Sequence, residues 1–304
     1  MSTLDRLKAL FQDPPPEFVF EISASGIAMS RTRPPAVVQW ADLPAGTLEP
    51  SPVKDNMIDT AAFAQAVARL VPATSKRGRR GAALILPDNA VRLAVLDFES
   101  LPEKHEEREA LIRFRLKKTL PFDVDEAALS WHLQVGGPQV GKGKGGKIVA
   151  VVAPAEIVIR YEAAFRMAGL HPGMVTCTPL ALMDLLPTTG YFLVAHKTDG
   201  ALTVLALLDG ILILARTLEL VPNTADPLDE ISADLYPTLV YLEDEAGGRP
   251  ERLLLLGFGD ESEAASTRLS VELDIPAASL DEPHPGLAGY LLSLHTKVEA
   301  QVAA

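Results

Sequence analysis

The sequence has few of the features that define a protein's class at once. Among 304 residues there is one cysteine, Cys177, so no disulfide can form within the chain. Such cysteine usage is typical of proteins in a reducing compartment. Lys and Arg together number 28 against 40 for Asp and Glu, which gives a net charge of −12. Because an acidic surface repels nucleic acid and anionic lipid, we expect no nucleic-acid partner and only indirect membrane contact.

Long apolar runs are also missing. The strongest, residues 201–215, is interrupted by Asp209-Gly210 and falls short of the ~20 apolar residues that span a bilayer. The first eleven residues carry Asp5, Arg6 and Lys8, where a secretory signal would be apolar. We therefore expect a cytosolic protein.

The chain does contain one structural pattern that occurs twice. The first copy has strands at 18–22, 27–31 and 36–40, a helix at 60–70 and a buried strand at 81–86. The second copy has strands at 191–195, 201–208 and 211–217, a helix that begins at Asp226-Pro227 and a strand at 252–256. This repeat predicts a duplicated α/β fold in which two similar lobes face each other across a cleft.

Between the copies, residues 97–153 predict a small α+β module with a helix at 103–119, a strand at 127–135 and a hairpin tip at 136–147. We divide the chain into an N-terminal arm (1–16), the first lobe (17–96), the inserted module (97–153), a completion and crossover of the first lobe (154–188), and the second lobe (189–304). The final stretch is expected to be a closing helix of the second lobe.

Two motifs that suggest chemistry fail on their context. Gly141 to Lys147 satisfies the G-x4-G-K spacing of a phosphate-binding loop, but Ile148 stands where Ser or Thr would hold magnesium. A strand, not a helix, is predicted to follow, so the segment is interpreted as a hairpin tip. His105-Glu106 begins like a zinc-protease helix, but the second histidine position holds Glu109. We expect neither a metal site nor a catalytic residue.

The repeated turns are the better candidates for a site. In nucleotide-binding proteins with two lobes, such turns surround phosphate with glycine N–H groups, and an acidic residue holds magnesium through water. The candidate cleft residues are Glu21, Ser23, Ser25, Gly26, Asp199, Gly200, Gly257 and Gly259. With little glycine and little acid, these turns are more typical of ordinary hairpins than of a triphosphate site.

Four segments in order resemble the PilM family of type IV pilus assembly proteins. They are FVFEISASGIAMSRT, LPEKHEEREALIRFRLKKTLPFDVDEAALSWH, VVAPAEIVIRYEAAFRMAGLHPGMVTCTPLALM and LVYLEDEAGGRPERLLLLGFGD. The resemblance implies a duplicated, ribonuclease H-like fold of the actin-like ATPase type, with the α+β insert in the first lobe.

The sequence departs from that family at its phosphate turns. Glu21 keeps the acid of the first turn, but Ser23 stands in place of a glycine and Ala28 in place of a lysine. In the second turn, His196 replaces the acidic residue and Thr198 a glycine. These changes remove a cation that would neutralise phosphate and a carboxylate that would hold magnesium through a water molecule. We therefore expect no cofactor and no ATP hydrolysis, while binding of ATP with magnesium stays open.

The resemblance also implies a partner. PilM-like proteins bind the cytosolic N-terminal tail of the membrane-anchored protein PilN beside the inserted module, and so act as adaptors at the inner membrane for other pilus assembly proteins. The matching groove would use Arg113, Lys117 and Lys118 to pair with an acidic tail and Phe114 to pack against it. Alternatively, these cations only solvate the end of their helix.

Two other functions remain open on the sequence. A working actin-like ATPase would depend on Glu21 and Asp199 as its acidic groups. A cytoplasmic component of a type II secretion system would share the same fold.

Overall fold

The computed structural model describes residues 15–72, 80–134, 146–221, 224, 226–245 and 248–303, with side chains up to His295. The N-terminal arm up to residue 14 and the hairpin tip from 136 to 145 lie outside the described residues.

The described residues form thirteen strands and seven helices. The strands are β1 (Phe18–Ile22), β2 (Gly26–Arg31), β3 (Gln39–Asp42), β4 (Gly81–Leu86), β5 (Arg92–Phe98), β6 (Ala127–Leu133), β7 (Gly146–Pro154), β8 (His171–Cys177), β9 (Tyr191–Thr198), β10 (Ala201–Leu208), β11 (Ile211–Glu219), β12 (Arg252–Leu256) and β13 (Ala277–Ser279). The helices are α1 (Thr60–Leu70), α2 (His105–Leu116), α3 (Ala155–Met167), α4 (Thr178–Ala181), α5 (Pro227–Glu245), α6 (Ser262–Glu272) and α7 (Pro285–Ala303).

Two five-stranded sheets have the same topology. The first has the order β3-β2-β1-β4-β8, and the second has the order β11-β10-β9-β12-β13. In the first sheet, β1 is antiparallel to β2 and parallel to β4. In the second sheet, β9 is antiparallel to β10 and parallel to β12 in the same way. The duplicated, two-lobed α/β fold predicted from the repeat is therefore confirmed.

Local sequence explains these elements. Strands β1 and β10 are almost continuous apolar runs, and they lie buried at interior positions of their sheets. Asp209 and Gly210 both have positive φ angles, 48° and 75°, as the tight two-residue turn between β10 and β11 requires. The carboxylate of Asp226 accepts hydrogen bonds from two backbone N–H groups in the first turn of α5 and so caps that helix.

The inserted module consists of α2 and an antiparallel sheet with the order β5-β7-β6. Its sheet begins at Arg92, upstream of the predicted start at residue 97. The module also contacts the second lobe, where the Gln134 amide donates to the Leu212 carbonyl at 2.8 Å and accepts from its N–H at 2.9 Å. Leu93 and Val95 pack against apolar side chains of β10 and β11. The module therefore joins the two lobes.

Two predictions about elements are wrong. Strand β3 begins at Gln39, because Val37 and Val38, which suggested an earlier start, lie exposed before pairing with β2 begins. Helix α7 does not close the second lobe, since Leu287 and Tyr290 pack into a core of first-lobe residues. Among the described helices, none is both long and apolar enough to cross a membrane.

Candidate functional site

The turns at the ends of β1, β4, β9 and β12 surround a cleft of about 340 Å³ between the lobes. Five of the predicted cleft residues line it, namely Glu21, Ser23, Ser25, Asp199 and Gly257. The other three, Gly26, Gly200 and Gly259, are not among its lining residues. A larger depression, about 610 Å³, is open surface along α6 and does not include the turns after β1, β4 and β9.

Glu21 lies at the end of β1, and its carboxylate points to the first turn of α7. It accepts hydrogen bonds from the N–H groups of Gly286 at 3.2 Å and Leu287 at 2.8 Å. Burial raises the pKa of Glu21 to about 7, although these hydrogen bonds and the charge of His196 act in the opposite direction. The carboxylate that the family resemblance assigns to magnesium therefore caps a helix in this chain.

His196 occupies the equivalent place at the end of β9 and crosses the cleft to the first lobe. Its Nδ1 lies 2.8 Å from Oδ2 of Asp88, and both side chains are buried. Burial lowers the pKa of His196, but the charge of Asp88, the hydrogen bond to it and the charge of Glu21 together raise it above its ordinary value. The two lobes are thus connected by a buried ion pair.

Asp88 is the cleft residue that sequence reasoning missed. It follows β4 directly after Pro87, and β4 runs parallel to β1, so both strands end at the same edge of the sheet. That position was a signal for a cleft residue, since ligands of open α/β sheets bind beyond the carboxyl ends of the strands. Its second carboxylate oxygen, Oδ1, is buried and has no hydrogen-bond partner among the described residues.

The lysine that lines the cleft, Lys197, is paired with another side chain of the protein. Lys197 Nζ lies 2.8 Å from a carboxylate oxygen of Glu261 and 5.5 Å from the centre of the Phe258 ring. Gly257 packs against the same stretch, because a Cβ added there would lie 2.0 Å from the Lys197 carbonyl oxygen. Gly257, with a φ of 78°, therefore permits close contact between two strand ends.

The first turn satisfies its own polar groups. The hydroxyl of Ser23 accepts from the Gly26 N–H at 3.1 Å, donates to the Gly26 carbonyl at 3.0 Å and lies 3.1 Å from the Ser25 hydroxyl. A Cβ on Gly26 would lie 2.2 Å from the indole of Trp40. Gly26 is thus needed to accommodate Trp40, which stacks on His284 with 5.2 Å between ring centres.

Of the residues predicted to form the partner groove on α2, Arg113 makes contacts within the protein, whereas Phe114, Lys117 and Lys118 are exposed. Arg113 is engaged, since it pairs with Glu109 at 2.9 Å and donates to the backbone carbonyls of Val124 and Ala127. It therefore holds α2 against the loop that precedes β6.

The other three groove residues, Phe114, Lys117 and Lys118, are exposed, and Lys118 makes no ion pair with the described part of the chain. Lys117 pairs with Asp125 at 2.7 Å on the surface. Phe114 is 58% exposed, and Lys118 Nζ lies 4.9 Å from the centre of its ring. An exposed aromatic ring beside a lysine that makes no ion pair with the described residues is suited to contact another molecule.

Similarity to solved structures assigns the chain to the actin-like ATPase fold. A Bacteroides thetaiotaomicron protein described as having this fold and unknown function matches with a TM-score of 0.54 at 12% identity, over 90% of this chain and 94% of that one. The cytoplasmic domain of EpsL, an inner membrane component of the type II secretion system of Vibrio cholerae, matches with a TM-score of 0.51 at 11% identity, over 92% and 94%.

A third match agrees with the family resemblance seen in the sequence. A chain of the PilM-PilN type IV pilus biogenesis complex matches with a TM-score of 0.70 at 19% identity, over 95% of this chain and 97% of that one. The sequence itself matches no protein-family model and no curated protein. The resemblance to the PilM-PilN complex is thus confirmed in the fold over nearly the whole chain.

Proposed function

We propose that this chain is a cytoplasmic scaffold of a type IV pilus or related assembly complex, peripheral at the inner membrane through its partners, and that it acts without ATP hydrolysis. The similarity to a chain of the PilM-PilN complex over nearly the full length of both chains supports the first part. The engagement of the cleft carboxylates by protein groups is the observation that carries the second.

The cleft residues do not fit a magnesium triphosphate. Magnesium requires oxygen ligands in near-octahedral geometry, and Glu21 already accepts two hydrogen bonds from α7. A triphosphate requires cations, yet Lys197 is paired with Glu261 and His196 with Asp88. A bound nucleotide would have to break these contacts and lie beside buried carboxylates. These contacts support a pseudo-ATPase that needs no cofactor.

The partner we propose is the cytosolic N-terminal tail of a PilN-like membrane protein. An interface of this kind needs an apolar anchor with charges around it, and the Phe114 ring with the Lys118 ammonium above it provides both. Lys117 can exchange Asp125 for a partner carboxylate, because both groups of that pair are exposed. Arg113 would act indirectly by holding α2 in place. We expect the tail to present an apolar side chain and acidic residues.

The tail interaction can be tested by titrating the full-length chain with the cytosolic peptide of the single-span membrane protein encoded beside it. Phe114→Ala should weaken binding about tenfold or more, as truncating an interface anchor usually does. Lys118→Glu and Lys117→Glu should weaken it and make it less dependent on salt. Met167→Ala, at another exposed apolar side chain on α3, is the matched control. Absence of binding, or equal affinity in all variants, would contradict the proposal.

The alternative of a working ATPase can be tested separately by thermal melting. A nucleotide at a hundred times its dissociation constant should add ~2.7 kcal/mol of stability. We expect no change in melting temperature with millimolar ATP and magnesium. A saturable rise that Asp199→Asn weakens would instead favour the ATPase.

A component of a type II secretion system is the second candidate, because the EpsL cytoplasmic domain shares the fold. The two candidates differ in the membrane protein that the chain binds. Titration with tails from both kinds of complex, with Phe114→Ala as the common control, would distinguish them.

A further inference from the structure

Helix α5 has apolar side chains on two faces. Ile231, Leu235 and Leu242 pack into the apolar core of the second lobe and are fully buried. A second set lies on the opposite side with the spacing i, i+3, i+4, i+7 and i+8, and all of its members are exposed: Ala233, Tyr236, Pro237, Val240 and Tyr241. We call this set the outer stripe. Its three largest side chains are between 41% and 61% exposed.

The outer stripe has the composition and the spacing of a contact surface. Apolar side chains that are exposed singly are normal, but a contiguous group of them marks an interaction site. The helical spacing is the one with which a helix packs against a neighbouring element. Tyr236 and Tyr241 belong to a residue type that is enriched among the side chains that dominate binding energy.

Pro237 interrupts the hydrogen bonding of α5 within the outer stripe. It has no N–H group, so the carbonyl of Ala233 lacks the hydrogen bond that residue 237 of a regular helix would donate. Both residues are exposed. The outer stripe therefore offers a backbone acceptor among its apolar side chains, and a partner with N–H donors can use it.

The negative charge of the chain is concentrated in the lobe that carries α5. Residues 189–284, the second lobe without α7, contain 18 acidic and 5 basic side chains, a net charge of −13, whereas the rest of the chain carries +1. Helix α5 ends in Glu243, Asp244 and Glu245 with no basic residue in its last turn, although that end of a helix favours cations. Arg249 pairs with Glu243 at 3.6 Å, but the other two acids make no ion pair with the described residues.

This charge decides which kind of molecule fits the outer stripe. Nucleic acid and anionic lipid have the wrong sign. Two copies of the chain that paired through the same stripe would bring two acidic lobes together, and the remainder of the chain offers a net charge of only +1. A protein segment that carries cations beside an apolar face matches both the stripe and the charge.

We propose that the outer stripe of α5 binds a basic amphipathic helix of another protein, with the apolar face of that helix on Tyr236 and Val240 and its cations over Asp244 and Glu245. This surface goes beyond the scaffold function and does not depend on the tail surface on α2, whose occupant is expected to be acidic. The two surfaces would thus select partners of opposite charge.

A labelled synthetic peptide of leucine and lysine, with its leucines on one helical face, is a suitable probe for titration of the full-length chain by fluorescence anisotropy. Tyr236→Ala should weaken saturable binding about tenfold or more, and Val240→Ala several-fold, because each truncates an apolar anchor. Asp244→Asn combined with Glu245→Gln should weaken binding several-fold at low salt and reduce its dependence on salt. Because these side chains are exposed, the variants should keep the melting temperature of the parent.

Two variants in the same lobe but outside the outer stripe serve as matched controls. Val271→Ala removes an apolar side chain on α6 that is 79% exposed, and Glu263→Gln removes an exposed charge on the same helix. Both variants should bind the peptide as the parent does. A permuted peptide of the same composition, with its leucines spread around the helix, should bind more weakly because it has no apolar face.

The proposal is overturned if the peptide does not bind at millimolar concentration, if Tyr236→Ala binds as tightly as Val271→Ala, or if the permuted peptide binds equally well. A dimer in sedimentation velocity that Tyr236→Ala dissociates would assign the outer stripe to a second copy of the chain and would also overturn it. Tail binding in the same preparations, with Phe114→Ala as its control, shows separately whether the scaffold function holds.

Discussion

The two lobes share a topology but use the ends of their first strands differently. Glu21 lies near the end of β1 beside β4, and His196 lies near the end of β9 beside β12, at matching places in the two sheets. The first side chain caps α7, and the second crosses the cleft to Asp88. Duplication has thus preserved the backbone arrangement, while the side chains that face the cleft have taken different structural tasks.

The two lobes are linked to each other at two places. The His196–Asp88 pair connects the lobes at the cleft, and the inserted module connects them again through Gln134 and Leu212. Contacts within the protein therefore link the two lobes both at the cleft and at the inserted module. Breaking each contact separately will show how much it contributes to the stability of the protein.

The largest effect is expected from the pair itself. His196→Ala should lower the free energy of unfolding by about 3–5 kcal/mol, because it leaves the Asp88 charge buried without a partner. Chemical denaturation measures this change. The double variant with Asp88→Ala should cost less than the sum of the two single changes. Lys117→Ala, which removes an exposed pair with Asp125, is the control and should change stability very little. Additive losses would show that the two groups are not coupled.

The glycine at the end of β12 should have the next largest effect. Gly257→Ala is expected to cost about 3 kcal/mol or more, since the new Cβ would meet the Lys197 carbonyl at 2.0 Å in addition to the unfavourable φ. Gly259→Ala provides a matched control, because Gly259 also has a positive φ but no atom within 4 Å of its added Cβ. It should cost about 1–2 kcal/mol. Equal losses would show that the close contact is not tight.

The buried Glu21 carboxyl of the first lobe should make the stability of the protein depend on pH. The pKa of Glu21 is raised from 4.5 to about 7, so the folded state binds a proton that the unfolded state releases between these values. The stability that Glu21 contributes is present below pH 4.5 and lost as pH rises through 7, a change of roughly 3 kcal/mol. The raised pKa of His196 acts in the same direction.

Denaturation at a series of pH values measures this slope. Glu21→Gln keeps an acceptor for the Gly286 and Leu287 N–H groups but cannot ionise, so it should flatten the profile. Thr198→Val, which removes no titratable group from the same cleft, should leave the slope unchanged. A stability that rises between pH 5 and 7 in the unmodified protein would contradict the assignment to Glu21.

The two lobes also show which parts of the structure could be predicted from the sequence. The repeated lobes were predicted correctly because their signals are local, such as the apolar runs of β1 and β10 and the Asp209-Gly210 turn. The start of β3 was not, because two adjacent valines suggest a strand whether or not a partner strand is beside them.

The contacts that define the site are long-range, and this explains why they were missed. Asp88 and His196 are 108 residues apart, and Glu21 meets the N-terminus of α7 across 266 residues. The apolar stripe of α7 predicted a packed helix but carried no information on which lobe it covers. Glu21 and Asp199, which the sequence suggested as candidates, line the cleft, whereas the use of Glu21 as a cap depends on that packing.

The smallest expected effect distinguishes the two hairpin turns. Ser23→Ala removes a hydroxyl that both accepts from and donates to Gly26, so it should cost about 1 kcal/mol. Thr198→Val, in the second lobe, removes a single longer contact to the Ala201 carbonyl at 3.3 Å and should cost less. Thermal melting measures both variants, with and without ATP and magnesium. If Ser23 served phosphate rather than its own turn, Ser23→Ala would leave stability unchanged and abolish a response to nucleotide. The hydrogen bonds within the turn predict the opposite result, a loss of stability that nucleotide does not alter.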